Sequence, residues 1–181
     1  MKIKDTNFKG LKILNGKIFF DSRGFFREMY QKRILKMHKP IFWCMSKSKK
    51  NVFRGLHLQT KNAQEKLVSV VKGKVLDIVV DLRPKSKTFG KHFKILLSDK
   101  NAKSILIPVG FAHGFLGLEK ENIVLYSNNN YRSKKNEIGL LWNDKDLKIS
   151  LVKSKLIISK KDKLNMTFSD YLKSLKINGN K

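Results

Sequence analysis

Short apolar runs recur about every ten residues along the chain, separated by Gly, Asn, Asp, Ser and Lys. They read LKILNGKIFF, IFWCMSKS, NVFRGLHL, KLVSVV, KVLDIVVDL, HFKILLS, SILIPV, AHGFLGL and NIVLYSN. Their length and their content of Val, Ile and Phe predict strands, and the spacing suits a β-sandwich or barrel. The short Gly-containing link between KLVSVV and KVLDIVVDL predicts a hairpin. Helical periodicity is confined to about residues 29–37 and 167–175; in the second, Phe168, Tyr171, Leu172 and Leu175 share one face. There is no internal repeat or low-complexity linker, and residues 177–181 are expected to fray. The expectation is a mainly β protein in which residues 1–181 form one domain.

Composition supports a packed core. Of 181 residues, 41% are hydrophobic and 10% aromatic, which excludes a mainly disordered chain. Charge is less decisive. Lys plus Arg total 40 against 14 Asp plus Glu, a net +26, which suits a polyanionic partner, yet a solvated lysine surface reads equally well. Only Arg23, Arg27, Arg33, Arg54, Arg83 and Arg132 are arginines, whereas a nucleic-acid reader more often favours Arg, and the lysines form no stripe. No nucleic-acid partner is therefore expected. The single cysteine, Cys44, excludes an internal disulfide and a multi-cysteine zinc site. No secretory leader is expected from MKIKDTNFKG, and the longest near-apolar stretch, 105–118, falls short of the roughly 20 residues of a membrane span. A soluble cytoplasmic protein without membrane association is the expectation.

Of the four histidines, His38 and His92 read as hydrogen-bonded core or rim residues. His57 and His113 sit beside glycines in strand-like segments, Arg-Gly-Leu-His57 and Phe-Ala-His113-Gly-Phe. Pro108-Val-Gly110-Phe-Ala-His113 has the PxGxxH spacing of the second motif of cupin barrels, in which a tight turn delivers a His to the barrel mouth. A metal-binding cupin also needs His-x-His and a following Glu. Here the matching place reads His57-Leu58-Gln59, with only Glu65 nearby, so no metal is expected. A barrel mouth carrying His, Lys, Arg and Tyr points to acid–base chemistry on an anionic organic substrate.

Ordered blocks along most of the chain carry a more specific resemblance. They include Asp21-Ser-Arg23-Gly24-Phe25-Phe26-Arg-Glu28, Ser46-Lys-Ser48, Val52-Phe-Arg54-Gly55-Leu56-His57-Leu-Gln59 and Gln64-Glu-Lys66-Leu67-Val68. Further blocks are Gly73-Lys-Val75-Leu-Asp77-Ile-Val-Val-Asp81-Leu-Arg83, Ser86-Lys-Thr88-Phe89-Gly90, Ile107 to Phe115 and Leu125-Tyr126. Glu137-Ile-Gly139, Trp142-Asn143-Asp144 and Ser159-Lys-Lys161-Asp162 close the series. The sequence resembles the dTDP-4-dehydrorhamnose 3,5-epimerase family, metal-free enzymes of the cupin superfamily acting on nucleotide-linked 4-keto sugars.

That resemblance implies a cupin-type double-stranded β-helix, or jelly-roll barrel, with a few short helices. It implies 3,5-epimerisation of dTDP-4-dehydro-6-deoxyglucose to dTDP-4-dehydrorhamnose by proton transfer through an enolate, without a cofactor. His57 matches the base, Asp162 the carboxylate that orients it, Tyr126 the acid on the opposite face and Lys66 the group that stabilises the enolate oxygen. Arg23, Glu28, Arg54, Gln59, His113 and Glu137 match substrate contacts, His113 reading equally as a structural barrel residue. The family also implies a homodimer that exchanges N-terminal strands. On an ideal strand Arg54 and His57 would face opposite ways, and Gly55 offers a bulge that aims both inward; otherwise Arg54 serves a partner subunit's site.

Some positions depart from the family pattern. Phe42-Trp43-Cys44 replaces a polar Gln-Asp-Asn run, Ser127 follows Tyr126 where Lys is common, and Tyr131-Arg132 replaces a Tyr-Tyr pair. Losing hydrogen-bonding groups from a polar site changes which substrate it favours. A 3- or 5-mono-epimerase, or an epimerase of another nucleotide sugar, stays open at this level; a basic nucleic-acid-binding barrel is the remote alternative.

Overall fold

The computed structural model describes residues 1–151 and 155–179. The first strands are β1 (Lys2–Asp5), β2 (Lys12–Asn15), β3 (Ile18–Asp21), β4 (Gly24–Arg27) and β5 (Phe42–Lys49). Then come β6 (Val52–Gln59), β7 (Lys66–Lys72), β8 (Lys74–Asp81), β9 (His92–Ser98), β10 (Lys103–Ile107), β11 (Phe111–Gly117) and β12 (Glu121–Asn128). Two short strands, β13 (Glu137–Gly139) and β14 (Ile157–Ile158), precede helices α1 (Lys160–Lys163) and α2 (Phe168–Gly179). Every predicted strand run contains a strand.

Two sheets form the body. One has the order β1-β2-β10-β7-β12-β5; the other is β13-β6-β11-β8-β9, with β14 added parallel to β6. From β5 to β13 every connection except β8–β9 carries the chain from one sheet to the other. This alternation is the jelly-roll order that the resemblance implied.

The predicted hairpin between β7 and β8 is therefore a corner. β7 pairs with β10 and β12, while β8 pairs with β11 and β9. A tight glycine turn looks the same locally in both cases; the partner strands decide. Gly73 makes the corner at φ +82°, its N–H donates to Asp99 Oδ2 (2.8 Å), and an added Cβ would lie 2.2 Å from the Glu121 carbonyl oxygen.

Side-chain alternation places three apolar layers. Val68, Val70, Ile105, Ile107 and Val124 of the first sheet meet Val75, Val79, Leu97, Phe111 and Phe115 of the second in the barrel interior. The outer face of the second sheet is covered by Leu140, Leu147, Phe168 and Tyr171 over Phe53, Leu56, Ile78 and Leu116. On the outer face of the first sheet, Leu35 and Tyr30 pack with Leu14, Leu67 and Leu106.

The helix predicted near 167–175 forms and extends to Gly179, so 177–179 belong to it; 180–181 lie outside the described residues. Thr167 Oγ1 accepts the Asp170 N–H (3.1 Å) and caps its start. No helix forms at 29–37. The N–H groups of Ile34 and Leu35 both reach the Gln31 carbonyl in one turn, and Met37 is exposed. Only Leu35 and His38 bury completely there, so the segment lacks the apolar face a short helix needs, and Pro40 disfavours helical geometry just beyond.

Because Gly73 combines a left-handed backbone with a carbonyl where its Cβ would lie, Gly73→Ala is expected to cost about 1–3 kcal/mol. A lower urea midpoint at an unchanged slope is the reading that checks it.

Candidate active site

A cavity of about 730 Å³ opens between β5, β7 and β12 of one sheet and β6, β11 and β13 of the other. His57, Lys66, His113, Tyr126, Glu137 and Asp162 all border it. A second hollow of about 720 Å³ lies among the turns carrying Lys49, Gly73, Lys100 and Lys120, and no histidine or tyrosine borders it.

His57 lies on β6 directly opposite His113 of β11. Its Nε2 is 2.8 Å from Asp162 Oδ1, and Asp162 is buried. With the carboxylate accepting at Nε2, the neutral ring keeps its proton there and leaves Nδ1 with the free lone pair. Asp162 reaches this position because β14 docks alongside β6 and Ser159 then starts α1, its Oγ accepting the Asp162 N–H at 3.0 Å. Asp162 Oδ2 also accepts the Gly55 N–H (3.3 Å). Burial works to raise the Asp162 carboxyl, but His57 and these backbone and hydroxyl contacts hold it below its usual value.

The Gly55 bulge resolves the facing of Arg54. Between the pairs His57–His113 and Arg54–Phe115 the register shifts by one residue, so Arg54 and His57 border the same cavity. Gly55 is at φ +123°, and a Cβ there would stand 2.5 Å from Gly114 Cα. Arg54 is anchored by Nε to Ser48 Oγ (2.9 Å) and Nη2 to the Lys47 carbonyl (3.1 Å).

Tyr126 and Lys66 face His57 from the other sheet. On β12 and β7 the pairs Tyr126–Val68 and Asn128–Lys66 put both side chains on the inner face. Burial pushes the Tyr126 phenol above its usual value, so it remains protonated near neutral pH. Burial also depresses the Lys66 ammonium, with Glu137 acting against the shift. Among the described residues the Lys66 side chain makes no hydrogen bond or ion pair, which leaves its Nζ for a ligand.

His113 forms a second buried pair, Nε2 to Asp77 Oδ2 at 2.8 Å, and its ring meets that of Tyr126 edge-on at 6.1 Å. Among the described residues, Asp77 Oδ1 is buried without a hydrogen-bond partner. Sequence reasoning did not single out Asp77 or Lys161; the signal for Asp77 is a carboxylate inside the apolar run KVLDIVVDL. Glu137 is held by Arg132 (Nε to Oε2, 3.2 Å) and by Lys161. Burial raises its carboxyl, but these two cations bring it down to about 2. Of the departing positions, Phe42, Cys44 and Arg132 border the cavity, whereas Ser127 points away from it.

Three expected contacts lie elsewhere. Gln59 is buried, and its amide is spent on the Asn62 and Tyr131 carbonyls and the Ser133 N–H, so it shapes the loop beside the cavity. Arg23 is at the tip of the β3–β4 hairpin, bound to Asp21, and Glu28 pairs with Gln31; neither borders this chain's cavity. Among the described residues, no three His, Cys, Asp or Glu side chains gather so as to hold a metal ion.

The family model for dTDP-4-dehydrorhamnose 3,5-epimerase matches residues 5–170. The chain belongs to this family. It is 39% identical over 176 residues to the dTDP-4-dehydrorhamnose 3,5-epimerase of Shigella flexneri, covering 94% of this chain and 97% of that one. The crystal structure of the Bacillus anthracis str. Ames epimerase with TDP and PPi bound superposes with a TM-score of 0.88 at 39% identity, over 92% and 99% of the two chains. The Legionella pneumophila Philadelphia 1 dTDP-6-deoxy-D-glucose-3,5-epimerase, in complex with dTDP-4-keto-L-rhamnose, gives 0.88 at 35% identity over 93% of each. Membership makes the chain an isomerase-class enzyme.

The depressed Glu137 carboxyl has a measurable consequence. Its ion pairs stabilise the fold fully above its unfolded value of 4.5 and lose that contribution as pH falls from there toward about 2. Glu137→Gln is expected to lower the urea midpoint at pH 7 and to narrow the difference between pH 7 and about pH 3. An unchanged difference would contradict the ion-pair assignment.

Proposed function

We propose that this enzyme converts dTDP-4-dehydro-6-deoxyglucose to dTDP-4-dehydrorhamnose by stepwise inversion beside the C4 ketone. One observation carries the reading: His57 from one sheet and Tyr126 from the other face a single cavity. Two proton-transfer groups on opposed walls are what inversion at carbon requires. His57 Nδ1 removes the carbon-bound proton, and the electron pair moves onto the C4 oxygen. Lys66 stabilises the enolate, a contribution typically of about 3 kcal/mol. Tyr126, kept protonated by burial, returns a proton to the opposite face and re-forms the ketone. Asp162 holds the imidazole's orientation and supports its charged form. Electrons return to the same carbon, so the proposed reaction is redox-neutral. Arg54, Arg132 and Lys161 at the cavity rim supply cationic partners for a diphosphate.

The reading extends to a homodimer. Phe20 and Phe25 are 76% and 60% exposed on the β3–β4 hairpin, with Phe19 and Phe26 beside them. A second copy that covers this hairpin would bring Arg23 and Glu28 to its own cavity, which explains why neither reaches the cavity of this chain. The exposed thiol of Cys44 suits a reducing compartment, and the reading includes a cytoplasmic enzyme built as one domain.

Incubation in D2O with thymidine-, guanosine- and cytidine-linked 4-keto sugars tests the reaction and its substrate. Label is expected at sugar C3 and C5 of the thymidine-linked compound, and His57→Ala is expected to reduce its entry by about 10²–10⁴. Tyr126→Phe is expected to retain exchange while losing most inversion, read by NMR of the product. Absence of label from every sugar would overturn the proposal. Sedimentation of the unsubstituted protein at twice the chain mass, and of Phe20→Asp/Phe25→Asp at the chain mass, is the expected outcome for the dimer.

A further inference from the structure

Directly behind the catalytic wall lies a buried histidine that the proposed reaction does not use. His38 is fully buried; its Nδ1 is 2.8 Å from Glu65 Oε1 and its Nε2 is 2.9 Å from Ser127 Oγ. Glu65 immediately precedes Lys66, and Ser127 immediately follows Tyr126. Alternation along β7 and β12 sends Lys66 and Tyr126 into the cavity and Ser127 and its neighbour Leu67 to the outer face. One imidazole thus grips the residues adjoining both groups assigned to enolate stabilisation and proton return.

The grip is well anchored. With Glu65 accepting, Nδ1 carries the proton, and in the neutral ring Nε2 accepts the Ser127 hydroxyl. The Tyr30 hydroxyl donates to the His38 carbonyl (2.8 Å), and its ring meets the imidazole edge-on at 5.8 Å. The Glu65 N–H donates to Asn129 Oδ1 (2.8 Å), fixing β7 against the residues that follow β12. Ser127 is buried and does not border the cavity, so the Ser–His–Glu order is not a nucleophile's triad. We propose that His38 is a positioning residue that, through Glu65 and Ser127, sets the placement of Lys66 and Tyr126 against the substrate. This inference rests on the epimerase reading above and adds a residue to it. It also gives Ser127 a purpose: a lysine there would bring a long cation where His38 finds a short hydroxyl.

Small changes at the bridge are expected to lower turnover with little effect on binding, because sub-ångström displacement of a reacting group is costly. Ser127→Ala, His38→Leu and His38→Gln are compared by kcat, KM and the ratio of deuterium exchange to inversion, with thermal midpoints to verify folding. Ser127→Ala and His38→Leu are expected to reduce kcat by about 10-fold or more with KM within about twofold. They should also raise the exchange-to-inversion ratio, because Tyr126 acts only in the inverting step. His38→Gln, whose amide can serve both partners, is expected to recover part of the loss. Should His38→Leu fail to fold, Ser127→Ala decides. The Tyr126 resonance in protein carrying 13Cζ-tyrosine, assigned by Tyr126→Phe, reports on the phenol without turnover and is expected to move in Ser127→Ala. An unchanged kcat and ratio in folded Ser127→Ala overturns the inference. If the unsubstituted protein incorporates no deuterium, the epimerase reading fails, and an unmoved resonance then overturns the bridge separately.

Discussion

A carboxylate buried away from water has to be paired, and Asp162 meets that demand in the contact on which the site depends. Its two oxygens take the ring N–H of His57 and the backbone N–H of Gly55, drawn from the strand that also carries Arg54. The contact joins residues 105 positions apart. It therefore fixes where the chain returns after β13 as well as how the imidazole points. Removing His57 would leave Asp162 buried and short of its ring N–H partner, which is more costly than never having had the pair.

Around that contact the barrel uses strand alternation to separate tasks. Inward positions of β7 and β12 present Lys66 and Tyr126 to the cavity, while outward positions lean on an apolar layer supplied by the segment before β5. The two sheets supply opposite walls, so groups facing one another are held apart by the thickness of the barrel and not by flexible loops. Glycines appear where backbones crowd. Gly55 against Gly114 lets β6 slip one residue against β11 and turn Arg54 inward without losing His57.

Electrostatics sharpen these placements. Desolvation alone would push Asp162 and Glu137 toward neutrality, and in both cases nearby cationic or N–H partners reverse it. At Tyr126 and Lys66 burial dominates, favouring a protonated phenol and a less firmly charged ammonium on the same wall. The contrast suits the proposed reaction, in which one wall takes a proton and the other gives one.

Strand positions were legible in the sequence because length, β-branched content and glycine spacing act locally, and the family blocks pointed to His57, Asp162, Tyr126 and Lys66 by their order. The amphipathic end helix was legible for the same reason, since Phe168 and Tyr171 recur at helical spacing. Pairing was not legible. A glycine link between β7 and β8 has the same local form as a hairpin or as a corner, and only the competition among strands for partners makes it a corner. The segment 29–37 has helical spacing, but the surface it must cover offers one deep place, taken by Leu35. His38, read along the chain as an unremarkable core histidine, gains its significance from Glu65 and Ser127, which lie 27 and 89 residues away. Local pattern determined what each segment could become; which side chains meet was decided by the folded sheets, because hydrogen bonding and burial act between neighbours in space.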